Sequence, residues 1–219
     1  MDTLELIIGN RTYSSWSMRP WLALRHIGVP FVETYVSLYV PGFKQKLLDY
    51  GGAGKVPMLR HGGSLIWDSL AICEYLAENF PAARLWPVDS QARALARALS
   101  AEMHSGFQGI RNVMPFNCRT RGRHVKWAMD VDAEIARVQE IWLGCRERYS
   151  NVGPWLFGNF SIADAMYIPV ALRFVTYGVE LKRAAREYVA TAQALPAVQE
   201  WIAKASQEAE VLEASEVGK

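Results

Sequence analysis

The sequence predicts an α+β chain in two parts, a βαβαββα unit over residues 1–82 and an all-helical region over 91–219, joined by a linker at 83–90. Three observations predict it. Before Pro81, short apolar runs alternate with segments of helical spacing, and turns bearing Gly or Pro separate them. After Ser90 the chain is rich in Ala, Arg, Glu and Leu at helical spacing, with no convincing strand. Pro81 and Pro87 bracket the change.

The elements follow in order. Leu4–Ile8 is a short, largely apolar run that reads as a strand. A polar loop over 10–15 leads into a helix to Ile27, with Trp21, Leu24 and Ile27 about one turn apart. Pro20 is tolerable only in a first turn, which predicts a helix start near Trp16 or Ser17. Gly28 and Pro30 stop it. Phe31–Leu38 reads as a second strand and Phe43–Tyr50 as a short helix. A glycine-rich loop at 51–54 precedes a third strand from Pro57. His61-Gly62-Gly63 then turns into a fourth strand over 64–67. Asp68 and Ser69 are N-cap types for a helix to Asn79 with Ile72, Tyr75 and Leu76 on one face. Beyond the linker, 91–105, 125–149, 162–177 and 197–209 are the clearest helices. Phe160-Ser161-Ile162-Ala163-Asp164 has the form of a capping box behind a hydrophobic residue. The acidic, small residues from about Glu208 are expected to fray.

Composition excludes several classes. The 219 residues are 51% hydrophobic and 21% charged, as in a globular protein with a sizeable core. A net charge of +2 gives no reason to expect a polyanionic partner, and the basic run from Arg119 to Lys126 has little aromatic interleaving for nucleic acid. Apolar runs fall far short of the roughly 20 residues that cross a bilayer, and the first residues are acidic where a secretory leader is basic. The three cysteines, Cys73, Cys118 and Cys145, are widely spaced, without a CxxC or a metal-like cluster. A reducing cytoplasm and no metal are expected. Gly51-Gly52-Ala53-Gly54-Lys55 is not a phosphate loop, because it lacks the first glycine at the required spacing and a hydroxyl residue after Lys.

A βαβαββα unit followed by helices resembles the cytosolic glutathione transferases, whose N-terminal domain is thioredoxin-like. Four motifs agree in order along nearly the whole chain. Tyr13-Ser14-Ser15-Trp16-Ser17-Met18-Arg19-Pro20 resembles the serine motif of the zeta and related bacterial classes. Lys55-Val56-Pro57 resembles the segment that carries a cis proline. Asp68-Ser69 stands where the family usually has Glu-Ser, and residues 160–164 resemble the capping box of the central helix of the second domain. Two positions depart from the zeta pattern: Trp16 replaces a Cys, and the zeta arginine that holds a substrate carboxylate would align near Thr176, with Arg173 about one turn earlier.

The resemblance implies glutathione as co-substrate, a cytoplasmic homodimer, a role in detoxification, and conjugation of the glutathione thiolate to a small electrophile. Glutathione-dependent isomerisation or a non-catalytic binding role are the alternatives. A free thiol titrates near about 8.5, and lowering it by about two units takes about 2.7 kcal/mol of preference for the anion. A hydroxyl donating to sulfur and the positive end of a helix both supply such preference. Ser14, just ahead of the first helix, is the residue expected to do so, with Ser15 second, since adjacent serines in a loop are not separable by sequence and either also serves as a plain N-cap. If the Val56–Pro57 bond is cis, the Val56 backbone faces outward to pair with the cysteinyl unit. Ser69 is expected to hold the γ-glutamyl carboxylate and Asp68, one methylene shorter than Glu, the α-ammonium. Lys44 or Lys55 would pair with the glycyl carboxylate or stand as surface lysines. The second-substrate pocket is expected from the mixed apolar and polar stretch at 103–123, through His104, Phe107, Arg111, Phe116, Asn117 and Arg119. Arg111 or Arg119 is suited to a bidentate carboxylate; the basic run 119–123 otherwise reads as a solvated loop.

Overall fold

A computed structural model describes residues 3–218. Its first part is a four-stranded sheet in the order β2-β1-β3-β4, built from β1 (Leu4–Ile8), β2 (Phe31–Tyr35), β3 (Met58–His61) and β4 (Ser64–Ile66). β1 runs parallel to β2, with Leu6 beside Glu33, and antiparallel to β3, with Leu6 beside Leu59. The two-residue period of β1 divides the core. Leu4, Leu6 and Ile8 face helices α1 (Ser15–Ile27) and α3 (Ser69–Asn79) in the main cluster, with Trp21, Leu59 and Ile72. Ile7 faces the other way, to Val36, Leu38, Met58 and Leu47 of α2 (Phe43–Asp49).

Six α-helices follow among the described residues: α4 (Ser90–Ser105), α5 (Gln108–Val113), α6 (Met129–Tyr149), α7 (Ile162–Thr176), α8 (Arg183–Ala194) and α9 (Pro196–Ala205). α7 is the axis of this part. All of its residues except Val175 are buried, and it packs on α1, α4 and α8. The capping box is made as the sequence predicts. Ser161 donates its N–H and its hydroxyl to Asp164 Oδ2 at 2.9 and 3.0 Å, and Leu156 N–H donates to Oδ1 at 3.0 Å. Burial pushes the Asp164 carboxyl up to about 6, although those donors pull it down. The two parts share core: Trp21 of α1 meets Trp201 of α9 edge-on at 5.2 Å.

Several sequence expectations change. α1 begins at Ser15, so Pro20 lies in its second turn and deprives the Trp16 carbonyl of its donor. The second strand ends at Tyr35 because the Leu38 amide is taken by the Asn10 side chain at 2.8 Å. The helix expected from Val125 starts at Met129; Arg123 and His124 N–H groups bond to Thr176 and Gly218 carbonyls and hold that stretch out of the helix. The last helix stops at Ala205 rather than 209. α5 and α8 were not foreseen. α5 has only six residues, and the buried face of α8 (Ala185, Tyr188, Val189, Ala192) is half alanine, which blurs its apolar stripe. The tail does not fray among the described residues: Glu208, Glu210 and Glu216 bind the first part of the chain.

Asp164→Ala removes the acceptor of three buried donors. It is expected to cost about 2–4 kcal/mol and to lower the melting temperature by roughly 5–15 °C. A calorimetric change below about 2 °C would contradict the role given to this carboxylate.

Candidate functional site

The chain leaves β1 through a tight turn. Asn10 C=O accepts N–H groups from Tyr13 and Ser14 at 3.1 and 2.8 Å. Its side chain donates to Tyr35 Oη at 2.7 Å and accepts the Leu38 amide. The turn delivers Ser14 as N-cap of α1, its Oγ accepting Ser17 N–H at 3.2 Å. No acidic residue stands in the first turn of α1, so the positive end of the helix is uncompensated.

Ser14 lines a cleft of about 570 Å³. Tyr13, Trp16 and Ser215 share its wall with Lys44, Lys55, Val56 and apolar groups that include Leu38, Phe43 and Leu47. Lys44 and Lys55 are exposed, and neither makes an ion pair among the described residues. The Val56–Pro57 peptide is cis. The cleft therefore combines one buried hydroxyl, a helix N-terminus and two ammonium groups.

The neighbouring hydroxyls are differently engaged. Ser15 Oγ is turned into the protein, where Arg173 of α7 donates to it at 3.2 Å. Tyr13 borders the cleft but donates its hydroxyl to Glu216 at 2.7 Å, and burial together with that bond holds it protonated, above its ordinary range.

Asp68 caps α3 through Oδ1, which accepts from Leu70 and Ala71 N–H at 3.0 and 3.2 Å. Its Oδ2 receives His104 Nε2 of α4 at 2.8 Å. Burial lowers the His104 pKa and outweighs the pull of Asp68. The Ser69 hydroxyl is buried without a partner among the described residues. Trp16 joins these features: its ring meets His104 edge-on at 5.3 Å, Arg19 at 4.2 Å and Arg111 at 4.8 Å. Arg19 is fully buried, and none of its three nitrogens has a hydrogen-bond partner among the described residues. Burial, then repulsion from Arg111 and Arg173, brings Arg19 down to about 9. Arg173 falls to about 9 by burial and by repulsion from Arg111.

Of the helical-region residues singled out above, His104 and Arg111 approach the serine loop through Trp16, and Arg119 through Tyr13. Arg111 also donates to the Gly106 and Met103 carbonyls. Phe107 and Phe116 lie in the core, the latter under Arg173 at 5.3 Å. Asn117 donates to Glu216 at 2.9 Å. Arg119 donates to the Glu208 and Glu210 carbonyls and to Tyr13 Oη at 2.8, 3.3 and 2.9 Å. Arg119 and Arg123, which also pairs with Glu216, are thus tied down by the tail, whereas Arg121 between them is exposed. Sequence reasoning missed this strap and the reach of Arg173 to Ser15. A lone Arg in the otherwise apolar α7 was the available signal for the second.

Comparisons with known proteins agree with this geometry. Residues 13–79 match the family model described as the N-terminal domain of glutathione S-transferase. Maleylacetoacetate isomerase of Rattus norvegicus is 33% identical over 175 residues, 78% of each chain, and that of Mus musculus is 30% identical over the same shares. A glutathione transferase homolog from Burkholderia, solved with bound glutathione, superposes with a TM-score of 0.71 at 26% identity, covering 95% of this chain and all of that one. Maleyl pyruvate isomerase, described as a bacterial zeta-class glutathione S-transferase, gives 0.66 at 21% identity over 94% and 100%. The chain belongs to the glutathione S-transferase family. It is an enzyme of that family, and residues 13–79 belong to its N-terminal, thioredoxin-like domain.

Cys73, Cys118 and Cys145 are free and buried, and burial pushes each thiol up to about 12. At pH 8 all three are protonated, so a thiol reagent is expected to label none within minutes in the native protein and three after denaturation. Rapid native labelling counted by mass spectrometry would contradict this burial.

Proposed function

We propose that Ser14 donates a hydrogen bond to the sulfur of glutathione bound in the cleft, and that the resulting thiolate attacks a small electrophile. The observation that carries this reading is the placement of the Ser14 hydroxyl at the cleft wall and at the N-terminus of α1, while Ser15 Oγ is turned inward to accept from Arg173 and Tyr13 donates to Glu216. Charge-assisted donation and the helix dipole then act on one atom. Lys44 and Lys55 suit the glycyl carboxylate, Val56 beside cis Pro57 the cysteinyl backbone, and the unpartnered Ser69 hydroxyl at the start of α3 the γ-glutamyl carboxylate. Asp68 keeps its role toward the α-ammonium only if His104 shares it. Residues 1–82 carry this machinery, 83–90 join the parts, and 91–219 supply the second-substrate side. A cytoplasmic homodimer acting in detoxification completes the reading, and no metal is required by this chemistry.

Glutathione-dependent isomerisation is the second reading. The relatives named maleylacetoacetate isomerase favour it, as does the cluster of Arg19, Arg111 and Arg173, whose charge lacks a carboxylate for Arg19 and suits an anionic substrate. Stoichiometry separates the two: conjugation consumes glutathione, isomerisation returns it.

Ser14→Ala is expected to cut kcat/KM roughly ten- to a hundredfold while the glutathione KM moves less than about threefold. A large loss in Ser15→Ala with none in Ser14→Ala would transfer the role to Ser15. Failure of glutathione to raise the melting temperature would instead leave a scaffold without the co-substrate.

A further inference from the structure

A second hydroxyl stands behind Ser14. Ser17 lies three residues into α1 and is fully buried. Its Oγ accepts the Gly9 backbone N–H at 3.1 Å and lies 2.8 Å from Ser14 Oγ. Ser14 Oγ in turn accepts the Ser17 backbone N–H at 3.2 Å. A serine inside a helix commonly bonds back to the carbonyl four residues earlier. Ser17 instead faces the end of β1 and the cap.

The protons can be assigned by counting. A backbone amide only donates, so the Gly9 N–H fixes Ser17 Oγ as an acceptor on one side. The two hydroxyl oxygens share one proton between them, supplied from either side. With Ser14 as donor, its hydrogen points inward and is withheld from the cleft. With Ser17 as donor, Ser14 Oγ receives both the Ser17 hydroxyl and the Ser17 amide, and the only hydrogen Ser14 has left points into the cleft. A negatively charged sulfur in the cleft selects the second arrangement, since it requires a donor.

We propose that Ser17 is a positioning residue: it donates its hydroxyl proton to Ser14 Oγ, completing a chain from the Gly9 amide through Ser17 and Ser14 to the glutathione sulfur, and so commits Ser14 to act as donor. This rests on the assignment of Ser14 given under Proposed function. Each oxygen in the chain is a stronger donor because it accepts from the link behind it. The chain is anchored in the sheet, so the direction of the Ser14 hydroxyl is set by β1 as well as by α1. No proton is transferred along it; three hydroxyl and amide hydrogens keep their parent atoms and only two hydroxyl rotors turn.

The test is an ultraviolet titration of the glutathione thiol bound to the full-length protein, carried out on wild type, Ser14→Ala, Ser17→Ala and the double variant. Ser17→Ala is expected to raise the apparent thiol pKa by about half to one unit, or about three- to tenfold less thiolate at neutral pH, with glutathione affinity changed by less than about twofold. The double variant is expected to match Ser14→Ala alone, because Ser17 acts through Ser14. A wild-type titration in Ser17→Ala, or full additivity in the double variant, overturns the proposal while leaving the role of Ser14 intact. An unshifted thiol in Ser14→Ala overturns both. Should the alanine variant not fold, Ser17→Cys, which keeps a weak donor, carries the test: an intermediate shift supports the chain and a wild-type titration overturns it.

Discussion

The turn by which the chain leaves β1 and enters α1 is the constraint on which the site depends. Six residues there, 9–14, must reverse direction and still satisfy every buried amide. Asn10 does most of this: its carbonyl closes the turn on Tyr13 and Ser14, and its side-chain amide ties the turn to Tyr35 and Leu38. The outcome is that a sheet strand, the cap of a helix and the far wall of the cleft are fixed by one buried residue, through its backbone carbonyl and its side chain together. Loss of any one acceptor would leave an unsatisfied donor in the core, which is more costly than the bond itself is favourable.

Around that turn the protein tolerates buried charge to an unusual degree. Arg173 of α7 reaches Ser15 and lies over Phe116, while Arg19 of α1 lies over Trp16. The Trp16 face offers Arg19 a partner through its quadrupole, worth less than a carboxylate but available without a second charge. Asp164 solves the same problem by ordinary means, surrounding itself with donors from its own cap. The two solutions differ in what they leave over: Asp164 is saturated, whereas Arg19 retains unused donors beside the region where ligand chemistry is proposed.

Much of this was readable in the residues, for physical reasons that can be named. Alternation in β1, the serine cap of α1 and the Ser161–Asp164 box are local patterns, so the sequence carries them directly. So do the four strands and their order of appearance. What escaped was non-local or low in contrast. An alanine-rich face hid α8. The Asp68–His104 pair joins residues on different helices and follows from no spacing rule. The inward turn of Ser15, which separates it from Ser14, is set by Arg173, 158 residues away. Acidic residues of the tail read as frayed because their partners, the Arg123 guanidinium and the Arg11 amide, lie 93 and 197 residues away along the chain.

That last feature bears on when the protein becomes competent during synthesis. The backbone N–H groups of Arg11 and Thr12, within the loop that presents Ser14, find their acceptors in Glu208. The intervening separations are 197 and 196 residues. A nascent chain that has emerged only through its thioredoxin-like part therefore carries a loop whose two amides still lack their carboxylate. The acceptor for this loop is thus among the last parts of the chain to be made, although the loop itself is among the first.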